Sequence, residues 1–121
     1  EDFELFRTLM RLGYNDRHLE LIGWAEEASQ LTREQQCGFL RSAARLLRES
    51  FMLHAGLERI GYLWGEELAF CTKFAPFIGP RNIEALVEEI ESALAQISQN
   101  GNPTIVFTHF ALTVSKMIKP L

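Results

Sequence analysis

A basic surplus is the first thing this sequence lacks. Its 12 Lys and Arg are outnumbered by 16 Asp and Glu, for a net charge of −4, whereas a dedicated nucleic-acid binder carries a positive excess. Cysteine is also scarce. Cys37 and Cys71 are the only two, too few and too far apart for a metal-ligand motif. Both fall within helical apolar patterns and read as buried free thiols in a reducing compartment. No apolar run approaches the ~20 residues needed to span a bilayer, and no secretory signal opens the chain. The expectation is a cytoplasmic protein with no membrane partner. Internal repeats and low-complexity segments are absent too, and only one stretch is β-branched enough to suggest a strand.

What remains is helical periodicity. In 121 residues with 47% hydrophobic and 23% charged content, the pattern predicts an all-α bundle of five to six helices around a modest core. Phe3, Phe6, Leu9, Met10 and Leu12 form one apolar stripe, ended by Gly13-Tyr14-Asn15. Asp16 is the expected N-cap of a second helix that would bury Leu19, Ile22, Trp24, Ala25 and Ala28. Thr32 with Gln35 makes a capping box for a third. That third helix, running to about Ala55, carries two apolar lines: Leu40, Ala43, Ala44, Leu47 and Phe51, then Phe39, Leu46 and Leu53. Two apolar faces predict the central helix of the bundle. Leu57, Ile60, Leu63 and Trp64 suggest a helical turn between glycines. A fourth helix is expected from Glu66 to about Phe74. Asn82 would cap a fifth, burying Ile83, Leu86, Val87, Ile90, Leu94 and Ile97.

The last segment is the most distinctive. After Asn100-Gly101-Asn102-Pro103 comes a nearly uncharged run from Thr104 to Ser115. Its composition suits a strand, but Phe107, Phe110, Ala111, Val114 and Ile118 recur at helical spacing and no second strand exists to pair with it. Pro103 suits a helix start. A helix apolar on almost every side needs cover on both flanks. The expectation is that Phe107, Phe110 and Val114 meet a partner subunit, and that Phe110→Asp would spare the fold and abolish assembly.

Catalytic motifs do not emerge. Gly56-Leu57-Glu58-Arg59-Ile60-Gly61 has the glycine spacing of a phosphate loop, but Tyr62 and Leu63 stand where Lys and Ser or Thr are required. His18, His54 and His109 are far apart and read as satisfied core or interface residues. There is no Glu-x-x-His pair for a di-metal bundle and no Gly-x-Ser-x-Gly turn. The reading is a non-enzyme with no cofactor and no metal. One charge pattern stands out: Arg41, Arg45 and Arg48 on the third helix match the i, i+4, i+7 spacing of Glu84, Glu88 and Glu91 on the fifth. Solvated faces would account for both. The sharper expectation is that one stripe meets opposite charge on a neighbouring subunit.

Several stretches carry a resemblance in their order and spacing: Phe3-Glu4-Leu5-Phe6-Arg7-Thr8-Leu9-Met10-Arg11-Leu12, Gly23-Trp24-Ala25-Glu26-Glu27, Leu31-Thr32-Arg33-Glu34-Gln35-Gln36, Phe39-Leu40-Arg41 through Ser50, Gly65-Glu66-Glu67-Leu68, Lys73-Phe74-Ala75-Pro76-Phe77-Ile78 and Gln99-Asn100-Gly101-Asn102-Pro103. Together they resemble the C-terminal domain of the delta-prime subunit of the bacterial DNA polymerase III clamp loader, over nearly the whole chain. The resemblance implies a collar domain that packs beside other clamp-loader subunits, follows an N-terminal ATPase-type region in a longer chain, and touches DNA only indirectly. A collar domain of the gamma/tau type, a stand-alone helical regulator and a small helical enzyme are the competing expectations.

Overall fold

The computed structural model describes residues 1–57 and 63–119. Six α-helices and one 3-10 turn make up their regular structure: α1 (Asp2–Tyr14), α2 (His18–Ser29), α3 (Arg33–His54), α4 (Gly65–Phe74), the 3-10 turn Ala75–Phe77, α5 (Ile83–Ser98) and α6 (Pro103–Met117). The architecture is an all-α bundle, as the periodicity predicted. The segment from Thr104 to Ser115 is helical throughout.

Local chemistry sets several ends. The capping box forms: Thr32 Oγ1 accepts from the Gln35 N–H at 3.1 Å, and Gln35 Oε1 accepts from the Thr32 N–H at 2.9 Å. At the end of α5, Asn100 adopts a left-handed φ of 66°. The Gly101 N–H reaches Gln96 O at 2.7 Å and the Asn100 N–H reaches Ile97 O at 3.1 Å, the paired bonds of a Schellman ending. A side chain on Gly101 would stand 2.7 Å from Gln96 O, so glycine is required there. Asn102 then caps α6 by accepting from the Ile105 N–H at 3.1 Å, ahead of Pro103.

Two expected caps differ. Asp16 has φ 58° and lies before α2, whose N-cap is Arg17 with no side-chain bond. Asn82 holds the N-cap position of α5 but does not cap it with its side chain. Buried, it accepts from the Gly79 N–H and donates to Phe77 O and Met117 O, tying the start of α5 to the end of α6. The expected turn at Leu57, Ile60, Leu63 and Trp64 lies partly outside the described residues. Of the rest, Leu57, Leu63 and Trp64 are not helical.

α3 is central, packing against α1, α4, the 3-10 turn and α5, while α6 packs against α1, α2 and α5. The core joins where α2, α3 and α6 meet: the Trp24 ring lies 5.6 Å from Phe39 and 6.1 Å from Phe107, and Phe107 lies 6.3 Å from Phe110. Trp24 Nε1 also donates to Leu5 O at 3.0 Å, which binds α1 to the same cluster.

That cluster corrects the reading of α2. Leu21, Trp24, Ala25 and Ala28 are its buried residues. Leu19 is 82% exposed and Ile22 40%. With Trp24 anchored inward, residues at three- and four-residue spacing from it follow, and Leu19 and Ile22 are carried outward by the ~100° turn per residue.

Candidate interaction surfaces

α6 is where the sequence reading changes most. Phe107 is 0% exposed, Phe110 2% and Val114 1%. Side chains with no free surface have nothing to offer a neighbouring subunit, so these three belong to the core of this chain and not to an interface. The cover expected from a partner comes instead from α1, α2 and α5. The outer side of α6 carries Ile105, Thr108, His109, Leu112 and Lys116, of which Ile105 is the exposed large apolar residue. Helical spacing identified the buried face of α6. It could not tell cover by the same chain from cover by another.

Leu19 and Ile22 near the start of α2 and Ile105 near the start of α6 are the exposed large apolar side chains of these two helices, at opposite ends of the pair. The two helices run antiparallel. At one end Ser115 Oγ donates to Gly13 O just before α2, and at the other Pro103 shares a hollow with Ser29 and Leu31. Sequence spacing gives no sign that Leu19 and Ile22 are exposed, because it assigns both to the buried face of α2.

The arginines are exposed, and the structure separates them. Arg45 pairs with Glu67 of α4 at 3.5 Å. Arg41 and Arg48 make no ion pair among the described residues, and neither do Glu84, Glu88 and Glu91. Cys37 Sγ lies 3.9 Å from Ser98 Oγ, which identifies the facing sides of α3 and α5. Arg41 and Arg48 follow Cys37 around α3 on that side, and Glu91 and Glu84 follow Ser98 around α5. Arg41 and Arg48 on α3 and Glu91 and Glu84 on α5 are thus opposite banks of one seam, while Arg45 turns toward α4.

Polar groups elsewhere are mostly engaged with one another. A hollow of about 460 Å³ between α1, α3 and α4 is lined by Asp2, Ser42, Arg45 and Glu67 among others. In it Ser42 donates to Asp2 at 3.0 Å, and Arg45 is held by Glu67. His54 Nδ1 lies 3.0 Å from Ala75 O, and His109 lies 3.8 Å from Glu89. Burial pushes the Cys71 thiol above its ordinary value, with a hydrogen bond to Ser50 opposing the shift. A hydrogen bond from Arg17 lowers the Glu20 carboxyl. Among the described residues, no group of three or more His, Cys, Asp and Glu is placed to hold a metal ion, and no helix is long and apolar enough to cross a membrane.

In comparison with known proteins, no protein family, no curated protein and no solved structure matches this chain.

Proposed function

We propose that this chain is a protein–protein assembly module, the collar domain of a bacterial clamp-loader subunit of the delta-prime type. The observation that carries the assembly role is the exposure of Leu19, Ile22 and Ile105 on two neighbouring helices, at 82%, 40% and 68%. Burying a wholly exposed side chain of this kind gains roughly 1.5–3 kcal/mol, and Ile22, already more than half covered, gains only part of that, so a partner that covers them has a driving force. The ordered sequence resemblance supports the collar assignment, and an all-α bundle is the architecture that resemblance implies. In this reading the domain performs no chemistry. It holds neighbouring subunits in place so that their ATPase regions can open the sliding clamp, and it reaches DNA only through the complex.

The test is co-elution of the parent subunit with its clamp-loader partners on gel filtration. Leu19→Glu with Ile105→Glu is expected to leave the domain's melting unchanged and to abolish co-elution. Unchanged co-elution would remove Leu19 and Ile105 from the interface. The reading frame upstream of Glu1 separates the alternatives: an ATPase-type region favours the collar, and a start codon there favours a stand-alone helical regulator.

A further inference from the structure

The two charged banks of the α3–α5 seam match each other in spacing and in register. Counted antiparallel from the Cys37–Ser98 contact, Glu91, Glu88 and Glu84 stand level with positions 44, 47 and 51 of α3. They are within two or three residues of Arg41, Arg45 and Arg48, about 3–5 Å along the helix axis. The bond between Arg33 and Asn100, just past the end of α5, fits the same antiparallel run to within two residues. Between the banks the floor is small and apolar. Cys37 and Ala44 are 8% and 7% exposed, and Val87 and Leu94 are half-buried.

We infer that this seam docks a second copy of the chain, turned about a two-fold axis parallel to α3 and α5. Such a turn exchanges the banks. Arg41 and Arg48 of each copy then stand over Glu91 and Glu84 of the other, and the contact is made twice, as in any isologous interface. A two-fold axis perpendicular to the helices would set arginine over arginine and glutamate over glutamate, so charge selects the first arrangement. The residues that would pair, Arg41, Arg48, Glu84 and Glu91, are among those that make no ion pair among the described residues. Arg45 is already engaged by Glu67 and plays the smaller part. Exposed ion pairs contribute little each, so the dimer is weak and depends on salt. It would matter most where two copies are already tethered in one assembly. This inference goes beyond the collar reading and stands if that reading fails.

Sedimentation velocity of the full chain over a concentration series tests it, at about 0.02 M and about 0.5 M NaCl, where screening lengths differ several-fold. The expected result is a monomer–dimer equilibrium at low salt, weakened at least roughly tenfold at high salt. R41E/R48E makes both banks acidic and E84K/E91K makes both basic. Each variant alone is expected to be monomeric, and an equimolar mixture is expected to dimerise again. R41Q/R48Q serves as the milder control, with melting curves confirming that each variant folds. A wild-type chain that stays monomeric at low salt would overturn the inference. So would a dimer that survives both double variants, a mixture that fails to recover, or a dimer lost instead in L19E/I105E, which would assign association to the exposed apolar residues of α2 and α6.

Discussion

Ser115 donates its hydroxyl to the carbonyl of Gly13 at 3.3 Å, across 102 positions of sequence, in a contact where the end of α1 meets the end of α6. The approach is close because residue 13 has no side chain. A Cβ there would stand 3.2 Å from Ser115 Cα and 3.2 Å from Ile118 Cδ1.

Gly13→Ala and Gly23→Ala should therefore differ in sign. Both positions are helical, where alanine is favoured over glycine by about 0.5–1 kcal/mol. At Gly23 nothing lies within 4 Å of the added carbon, so stability should rise by roughly that amount. At Gly13 the backbone of α6 must yield, and overpacking of about 1–3 kcal/mol outweighs the helical gain. Paired urea denaturation curves check this, and a stabilised Gly13→Ala would show that α6 shifts freely.

Phe110→Asp should unfold the chain and not merely separate it from partners. Phe110 is 2% exposed, in ring contact with Trp24 and Phe107, and a carboxylate there has no partner. Phe107→Ala alone should remove roughly 3–5 kcal/mol. Leu19→Glu should leave the melting temperature nearly unchanged, because that residue is 82% exposed. Circular dichroism melts of the three variants decide whether the core and the surface have been told apart correctly.

Gln36 is a buried polar residue whose Nε2 lies near three carbonyls: Ala28 O at 3.2 Å, Ser29 O at 3.3 Å and Leu31 O at 3.0 Å. It satisfies the end of α2 from the first turn of α3. Gln36→Leu keeps most of the volume and removes the donor; Ala28 O keeps the Leu31 N–H at 3.2 Å, but the part-buried carbonyls of Ser29 and Leu31 lose theirs. A loss of about 1–3 kcal/mol is expected, and faster amide exchange at the end of α2 would locate it.

Cys71 makes a pH prediction with a definite sign. Burial raises its thiol above the ordinary value of 9.0, so the folded chain holds that proton more tightly than the unfolded chain. Stability from this group is complete below about pH 9 and falls as pH rises toward the folded value, because unfolding releases the proton. Cys71→Ala should lose less stability than wild type between pH 9 and the folded pKa. Parallel slopes for the two proteins in that range would remove Cys71 as the cause.

Much of this fold could be read without coordinates because helix ends are local events. Thr32 and Gln35 meet within one turn, Asn102 and Pro103 start α6, and Asn100-Gly101 ends α5. Each motif needs only its own neighbours. The seam stripes were equally visible in spacing. Which side of a helix counts as inside was not local. Leu19 and Leu21 are the same residue type two positions apart, and the choice between them followed from Trp24 being held by Leu5, Phe39 and Phe107. The apolar character of α6 was plain in the residues, but its cover came from α1, α2 and α5, segments distant in sequence. The sequence by itself determined the helix ends that carry a local capping motif, such as Thr32 with Gln35, and which positions are apolar enough to bury. Tertiary packing alone decided which of those positions are buried and which stay exposed, because burial depends on the relative placement of whole helices and hydrophobic attraction has no direction of its own.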